Sequence, residues 1–288
     1  MPALIDLRRR IQSVRNTQQI TKAMKTVSTA KFRKAQRRLL EGRPYWHTFF
    51  DLLAEVYSWT EGYLHPLLDE RNEEKIEGLV ITSDKGLAGA FNSNLLEKAL
   101  SFFEEKSGSS EVKLVLIGKK AVSFFKGQPF TVQRTYVDNV EKLTFEEIQG
   151  IAQFLIRLYV FQKVDAIYVA YNEFKSILAP RITIAKILPL VPDKGEGEEK
   201  AFVPSWEPEV VSILSLLLPL YVENQVYHCF RESSTAEHAA RMMAMDNATK
   251  NAGDLIDDLT LVLNKIRQAS ITKELLEIMT AVEALAKK

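Results

Sequence analysis

The chain has 288 residues, of which 46% are hydrophobic and 26% charged, with a formal net charge of +1 at pH 7. This composition is typical of a folded protein with one large or two ordinary domains, and it excludes a disordered chain. The longest apolar run, Val210 to Val222, is shorter than the roughly 20 residues that span a bilayer. We therefore expect no transmembrane helix. The Arg-rich N-terminus lacks an apolar core, so no cleaved signal or transit peptide is expected either.

The N-terminal segment, about Leu4 to Leu64, has the spacing of one long helix. Its first stripe recurs every three or four residues and comprises Leu4, Leu7, Ile11, Val14, Gln18 and Thr21. A second stripe, shifted around the helix, comprises Ile20, Met24 and Val27. The one expected break is Gly42-Arg43-Pro44. Some fifty helical residues would reach roughly 75 Å, so the helix should project from a globular body.

This helix is strongly basic. Between Asn16 and Arg38 there are seven basic side chains and no acidic one: Lys22, Lys25, Lys31, Arg33, Lys34, Arg37 and Arg38. From Glu209 onward, acidic residues instead outnumber basic ones, eleven to eight. The asymmetry predicts a polyanionic partner or an acidic protein surface for the N-terminal segment.

The middle of the chain alternates strand and helix patterns. The predicted strands are Ile76–Thr82, Val112–Gly118, Thr131–Val137, Ala166–Tyr171 and Ile182–Leu190. The predicted helices are Ser93–Lys106, Lys119–Lys126 and Thr144–Gln162, the last with a capping box of Thr144 and Glu147. The alternation predicts a Rossmann-like α/β domain with a mostly parallel sheet and an antiparallel edge.

The last segment, about Pro208 to Ala286, is helical again, with an expected kink at Pro219. A coiled-coil spacing of four and three residues runs through Ala248, Ala252, Leu255, Leu259, Val262, Ile266 and Ala269. The sequence thus predicts a long antiparallel two-helix coiled coil joined to a central α/β domain. Its expected parts are an N-terminal helix (1–64), the α/β body (76–192), a linker (193–207) with the charged loop Asp193–Lys200, and a C-terminal helix (208–288).

The loop from Ser83 to Asn94 follows a strand and precedes a helix. Gly86 and Gly89 fit neither dinucleotide nor Walker A spacing, so a tight turn with Asn92 or Ser93 as helix cap is the simpler interpretation. A nucleotide-dependent Rossmann-like enzyme is the alternative, and it requires this loop to bind phosphate. Asp84 and Lys85 are either exposed loop residues or a partner contact.

No catalytic, metal or cofactor site is expected elsewhere. The four histidines are scattered, the lone cysteine, Cys229, is expected to be buried, and the carboxylates of the last helix have solvent-face spacing. A nucleic-acid-binding coiled coil is a further alternative for the basic helix. Basic residues on all sides of the helix, with no interleaved aromatic residues, argue against it.

Three blocks of the sequence resemble the gamma subunit of F-type ATP synthases: Arg10–Gln36, Thr82–Asn94 and Thr235–Ile278. The resemblance covers the whole chain. It departs from the family pattern at Met279-Thr280-Ala281-Val282, where a Gly-Ala pair is usual, and in lacking the chloroplast regulatory insertion with its cysteine pair.

The resemblance implies a noncatalytic rotor that couples proton flow to ATP chemistry elsewhere. Its implied partners are the alpha and beta subunits, which form a hexamer, the epsilon subunit and the c-ring, with no cofactor and no nucleic acid. It would be a peripheral protein at the cytoplasmic face of the bacterial cell membrane, without inserting into the membrane. The residues placed against the beta-subunit loops are Met24, Lys25, Arg241, Gln268 and Thr272.

Overall fold

The computed structural model describes residues 2–58, 65–177, 180–190 and 210–286. In chain order the elements are α1 (Pro2–Ser58), β1 (Lys75–Ile81), α2 (Phe91–Ser107), β2 (Glu111–Ile117), α3 (Lys119–Phe125), β3 (Thr131–Tyr136), α4 (Phe145–Val160), β4 (Ala166–Glu173), β5 (Arg181–Leu188) and α5 (Val210–Ala286). A 3₁₀ turn, Val140–Lys142, precedes α4. The five strands and three short helices predicted from the sequence are therefore confirmed.

The five strands form one sheet in the order β3-β2-β1-β4-β5. The first four strands are parallel, and β5 pairs antiparallel with β4 at the edge. Central strands β1 and β4 are buried along almost their whole length, and their sequences are mostly apolar, as expected when both faces of a parallel sheet are covered. The predicted mixed α/β fold with an antiparallel edge is confirmed.

Each face of the sheet has its own hydrophobic core. On one face α2 and α3 contribute Leu95, Ala99, Phe103 and Phe125. On the other face the core includes α4 together with parts of α1 and α5. Gly78 in β1 is required by this packing, because a Cβ atom there would lie 2.4 Å from the Phe103 ring.

The chain divides into two compact units. The first unit comprises Met1–Ser28 and Met242–Lys288, and the second comprises Thr29–Arg241, so that α1 and α5 each contribute to both. The predicted domain boundaries remain predictions. The predicted linker (193–207), with its charged loop, and the predicted end of the first helix at Leu64 lie outside the described residues.

Helix α1 continues through Gly42-Arg43-Pro44, where the sequence predicted a break. Proline removes one backbone donor, but surrounding contacts of the second unit hold this turn. The Arg43 guanidinium donates a hydrogen bond to the Phe174 carbonyl at 3.3 Å and lies 3.5 Å from the Glu232 carboxylate. The Trp46 indole covers Gly42, within 2.9 Å of where a Cβ atom would be.

Candidate functional site

Four of the five residues that the resemblance places at a partner belong to the first unit, here called the helix pair. Its apolar contact joins Ile11 of α1 to Ile256 and Leu259 of α5, with Leu7, Val14 and Leu263 packed around them. Further along α1, Gln18 donates a hydrogen bond to the Thr249 carbonyl at 3.4 Å. As residue numbers rise along α1, their partners in α5 fall, so the two helices pair antiparallel, as predicted.

The buried stripes of the helix pair differ from the predicted ones. In α5, Ile256 is buried, whereas the predicted Leu255 and Val262 are about 40% exposed or more. In α1, the predicted second stripe is wrong, because Ile20 and Val27 are exposed while Thr21 and Ser28 are buried. The first predicted stripe continues through Thr21.

Beyond the apolar cluster, the contact between the two helices is made by polar side chains. The hydroxyl oxygens of Thr21 and Thr249 are 2.8 Å apart. The Thr21 hydroxyl donates to the Gln18 carbonyl at 3.0 Å, and the single proton of the Thr249 hydroxyl is shared between the Thr21 oxygen and the Met245 carbonyl, which lies 2.7 Å away. Because these hydroxyls are satisfied within the pair, this polar contact is tolerated without strong apolar packing.

Lys25 is engaged within the chain. Its ammonium lies 2.7 Å from the Asp246 carboxylate, which also lies 3.4 Å from the Lys250 ammonium. The hydrogen bond from Lys25 holds the pKa of Asp246 below its ordinary value. The neighbouring Met24 is half-buried. Lys25 retains an exposed face, with 43% of its side chain accessible.

Gln268 and Thr272 lie on the exposed last part of α5. Both are exposed, and the Thr272 hydroxyl donates to the Gln268 carbonyl at 3.0 Å. Large apolar side chains around them are exposed as well: Leu261, Val262, Ile271, Leu275, Leu276, Ile278, Met279 and Val282. Exposed apolar surface of this extent is a common feature of protein–protein contacts.

Arg241, the fifth predicted residue, lies in the second unit and is buried. Its Nη2 atom donates to the Glu237 carboxylate at 2.6 Å and to the Lys85 carbonyl at 3.4 Å, and its Nε donates to the Gly86 carbonyl at 3.3 Å. Burial raises the pKa of Glu237, and the Arg241 charge opposes that rise. These contacts attach α5 to the loop that follows β1.

The loop from Ser83 to Asn92 is fixed by its own polar groups. The Ser83 N–H donates to the Asn92 amide oxygen at 3.1 Å. Asp84 accepts hydrogen bonds from the Lys119 N–H at 3.1 Å and the Val140 N–H at 3.0 Å. The prediction that Asn92 or Ser93 caps α2 is wrong: α2 begins at Phe91 after Ala90 without a side-chain cap. Asn92 lies inside the helix and bonds back to Ser83.

A cluster next to this loop, in which an exposed ion pair meets a buried histidine, was not predicted. Lys31 of α1 forms an ion pair with Glu141 of the 3₁₀ turn, and the His238 Nε2 atom lies 3.7 Å from the same carboxylate. Burial lowers the pKa of His238 to about 4, so the imidazole is neutral at pH 7. Burial alone would raise the pKa of Glu141, but the hydrogen bond and the charge of Lys31, together with other nearby positive charge, outweigh burial and the pKa is lowered. The i,i+4 spacing of Glu237 and Arg241 was the one sequence signal here.

Cys229 is buried, as expected, and its burial raises the pKa of the thiol to about 12. Among the described residues, no group of three or more His, Cys, Asp or Glu side chains has an arrangement that could hold a metal ion. Within the same residues, no helix is both long and apolar enough to cross a membrane.

Comparison with known proteins extends over the full chain. A sequence profile of the family described as ATP synthase matches residues 3–285. The ATP synthase gamma chain of Pelotomaculum thermopropionicum is 44% identical over 285 residues, which cover 99% of this chain and 100% of that one. The chain belongs to the ATP synthase gamma chain family. The gamma chain of Solibacter usitatus is also 44% identical, with 99% of both chains covered.

Solved structures of mitochondrial ATP synthases contain chains with this fold. A chain in the cryo-EM structure of the Euglena gracilis mitochondrial ATP synthase, OSCP/F1/c-ring in rotational state 3, aligns with a TM-score of 0.69 and 21% identity over 99% of this chain and 95% of that one. A chain of the Tetrahymena thermophila mitochondrial ATP synthase central stalk/c-ring aligns with a TM-score of 0.60 and 23% identity, covering 80% and 99%. At these identities the alignments show a shared fold.

Proposed function

We propose that this gamma chain works as the central-stalk rotor of an F-type ATP synthase and has no catalytic site of its own. It couples proton translocation through the membrane sector to ATP synthesis or hydrolysis at the beta-subunit sites by rotating inside the alpha-beta hexamer. Its partners are the alpha and beta subunits, the epsilon subunit and the c-ring. The observation that carries the proposal is the full-length relationship to gamma chains, joined to an antiparallel helix pair built from both chain ends.

The noncatalytic role is supported by how the loop after β1 uses its polar groups. A nucleotide-dependent enzyme would need this loop to bind phosphate. Asp84 instead places a carboxylate on the Lys119 and Val140 N–H groups, and Ser83 and Asn92 bond to each other. A carboxylate repels phosphate at these donors, so the loop is better suited to a structural role.

The location we propose is peripheral, at the cytoplasmic face of the bacterial cell membrane. Support comes from the bacterial gamma chains at 44% identity. The chain would reach the membrane sector through contact with the c-ring, and not through a membrane-inserted segment.

We further propose that Met24, Lys25, Gln268 and Thr272 contact beta-subunit loops. Support comes from the exposed faces of Lys25, Gln268 and Thr272 and from the exposed apolar side chains near the last two. The exposed basic residues of α1, among them Lys22, Lys34 and Arg38, would add charge complementarity to an acidic partner surface. Arg241 is buried and its guanidinium binds groups of this chain, so the proposed contact does not include its side chain.

Reconstitution tests the function. Purified alpha and beta subunits are mixed with and without this chain, and ATP hydrolysis is measured in the assembled fraction after size-exclusion chromatography. We expect a soluble ATP-hydrolysing assembly that contains the chain. Failure of the chain to enter such an assembly would contradict the rotor function.

Charge variants at Lys25 test the interface. Lys25→Glu, and likewise Met24→Glu, should lower the number of protons pumped per ATP hydrolysed, while nucleotide binding by beta remains intact. The matched control is Asp246→Asn, which removes the same internal ion pair but keeps the positive charge of Lys25. An equal loss of coupling in Asp246→Asn would show that the internal pair, and not a partner contact, is what Lys25 provides.

A further inference from the structure

We propose that Arg241 is a positioning residue: it holds the loop segment Lys85–Leu87 in one conformation and acts on coupling through that loop, not through direct contact with a partner. The effect of Arg241 on coupling rests on the proposed rotor function. Its effect on the conformation of the loop is a property of this chain alone.

Arg241 is buried and engaged within its own chain. Only 7% of the residue is exposed, and its guanidinium already has three acceptors inside the second unit. A buried guanidinium must have such partners, and breaking them to reach another protein would leave Glu237 buried without its cation. Arg241 therefore contributes through the groups it binds.

The loop carbonyls that bind Arg241 lie in one short part of the loop. Two of the three acceptors are successive backbone carbonyls, those of Lys85 and Gly86. The fixed fork of a guanidinium suits two neighbouring acceptors, whereas a lysine ammonium would not hold both in one geometry. The Ser83 hydroxyl donates to the same Lys85 carbonyl at 2.7 Å and reinforces the arrangement.

The next residue, Leu87, shows why the loop needs to be held. Its φ angle is 61°, in the left-handed region that a leucine rarely adopts, and 61% of the residue is exposed. With most of this apolar side chain exposed, packing within the described residues compensates only in part for the disfavoured conformation. Such strain is retained where surrounding contacts enforce it and where the conformation serves a function.

Limited trypsin digestion of the full chain tests the loop directly, because trypsin cleaves after Lys85. Glu237→Gln keeps the hydrogen bonds of Arg241 to the loop and serves as the control. The double variant Glu237→Gln/Arg241→Gln removes those bonds without leaving an unpaired buried carboxylate. Cleavage at Lys85–Gly86 should be about tenfold faster or more in the double variant, since cleavage follows the population of the open loop.

A rescue variant separates loop positioning from general loss of stability. Asparagine tolerates the left-handed region, so adding Leu87→Asn to the double variant should slow cleavage at Lys85–Gly86 by about fivefold. If the double variant does not fold, Arg241→Lys serves instead, because it keeps a cation near Glu237 but lacks the guanidinium fork. Cleavage that is unchanged without Arg241, or equally fast in Glu237→Gln alone, would overturn the proposal.

The assembled complex tests the link to coupling. Ser83→Ala removes a hydrogen bond to the same loop without changing Arg241. We expect it to speed trypsin cleavage at Lys85 and to lower the number of protons pumped per ATP hydrolysed, with the larger loop effect giving the larger loss of coupling. A coupling defect in Arg241→Lys with a loop that stays closed to trypsin would show direct action by Arg241 and refute positioning. The trypsin assays need no partner subunits, so their failure is distinguishable from a failed reconstitution, which contradicts the rotor function itself.

Discussion

Glu77 is buried on the central strand β1, and neither of its carboxylate oxygens has a hydrogen-bond partner among the described residues. Burial raises its pKa from an ordinary value of 4.5 to about 8, against the opposing charge of Lys113. The folded chain therefore holds this proton more tightly than the unfolded chain. Stability from this group is fully present below about pH 4.5 and is lost as the pH rises toward 8.

We predict that Glu77→Gln flattens this pH dependence. Each pKa unit corresponds to about 1.4 kcal/mol, so the wild-type free energy of unfolding should fall by several kcal/mol between pH 5 and pH 8 through this group alone. Urea unfolding of the full chain at several pH values measures this pH dependence of the free energy of unfolding. The exposed Glu104→Gln is the control, and parallel pH profiles of wild type and Glu77→Gln would contradict the prediction.

The internal partners of the candidate site residues could not be predicted from the sequence. Lys25 and Arg241 were singled out by resemblance alone, and Asp246 lies 221 positions from Lys25. The i,i+4 spacing of Glu237 and Arg241 was visible, but nothing indicated that the guanidinium also reaches the loop after β1. Such contacts are set by tertiary structure, and periodicity carries no information about them.

Among the elements, α4 has the best-defined start. The Thr144 hydroxyl accepts a hydrogen bond from the Glu147 N–H at 3.3 Å, and the Glu147 carboxylate accepts one from the Thr144 N–H at 2.7 Å, which confirms the predicted capping box. The hydrogen bond between Gln149 and Glu223 then joins α4 to α5 at 2.7 Å. The cap therefore supports the helix that covers one face of the sheet.

We expect Thr144→Ala to lower the free energy of unfolding of the second unit by about 1 kcal/mol, because it leaves a backbone N–H at the helix start without its acceptor. Chemical denaturation followed by circular dichroism measures the loss. Ser101→Ala, at an exposed position of α2, should change the value by less than about 0.5 kcal/mol. An unchanged stability in Thr144→Ala would mean that water replaces the cap.

The strands were predictable because each is a short, β-branched run with clear boundaries, and a buried parallel sheet requires that composition. The buried stripe of α5 could not be predicted from the sequence. Leu255 and Ile256 are adjacent apolar residues, as are Val262 and Leu263, so spacing alone cannot choose between the two registers. The cluster that Ile256 forms with Ile11 of α1 determines which register is buried.

At the scale of the whole molecule, the two units differ in the size of their cores. Among the described residues, the buried apolar side chains of the helix pair are Ile11, Met245, Ala252, Ile256 and Leu259, whereas the second unit has a core on each face of its sheet. Two helices with so little buried apolar surface are marginal by themselves. The helix pair should therefore open at a much lower free energy than the sheet.

Hydrogen exchange with mass spectrometry checks this expectation. In the isolated chain, amides of the helix pair should exchange at least about tenfold faster than those of β1 and β4. Adding alpha and beta subunits should protect the helix pair and leave β1 and β4 unchanged, because binding stabilises the part that it contacts. Equal protection of both units in the isolated chain would show that the pair is stable without partners.

Antiparallel pairing also links the lengths of the two chain ends. One residue inserted into α1 between Ile11 and Lys25 would turn the following side chains by about 100° and separate Lys25 from Asp246. Inserting about seven residues, two turns, restores the angle but displaces the contacts by roughly 10 Å. Only a matching insertion in α5 between Asp246 and Ile256 would restore both. Insertions and deletions in this part of the chain should therefore be tolerated only as matched pairs, one in each terminal helix.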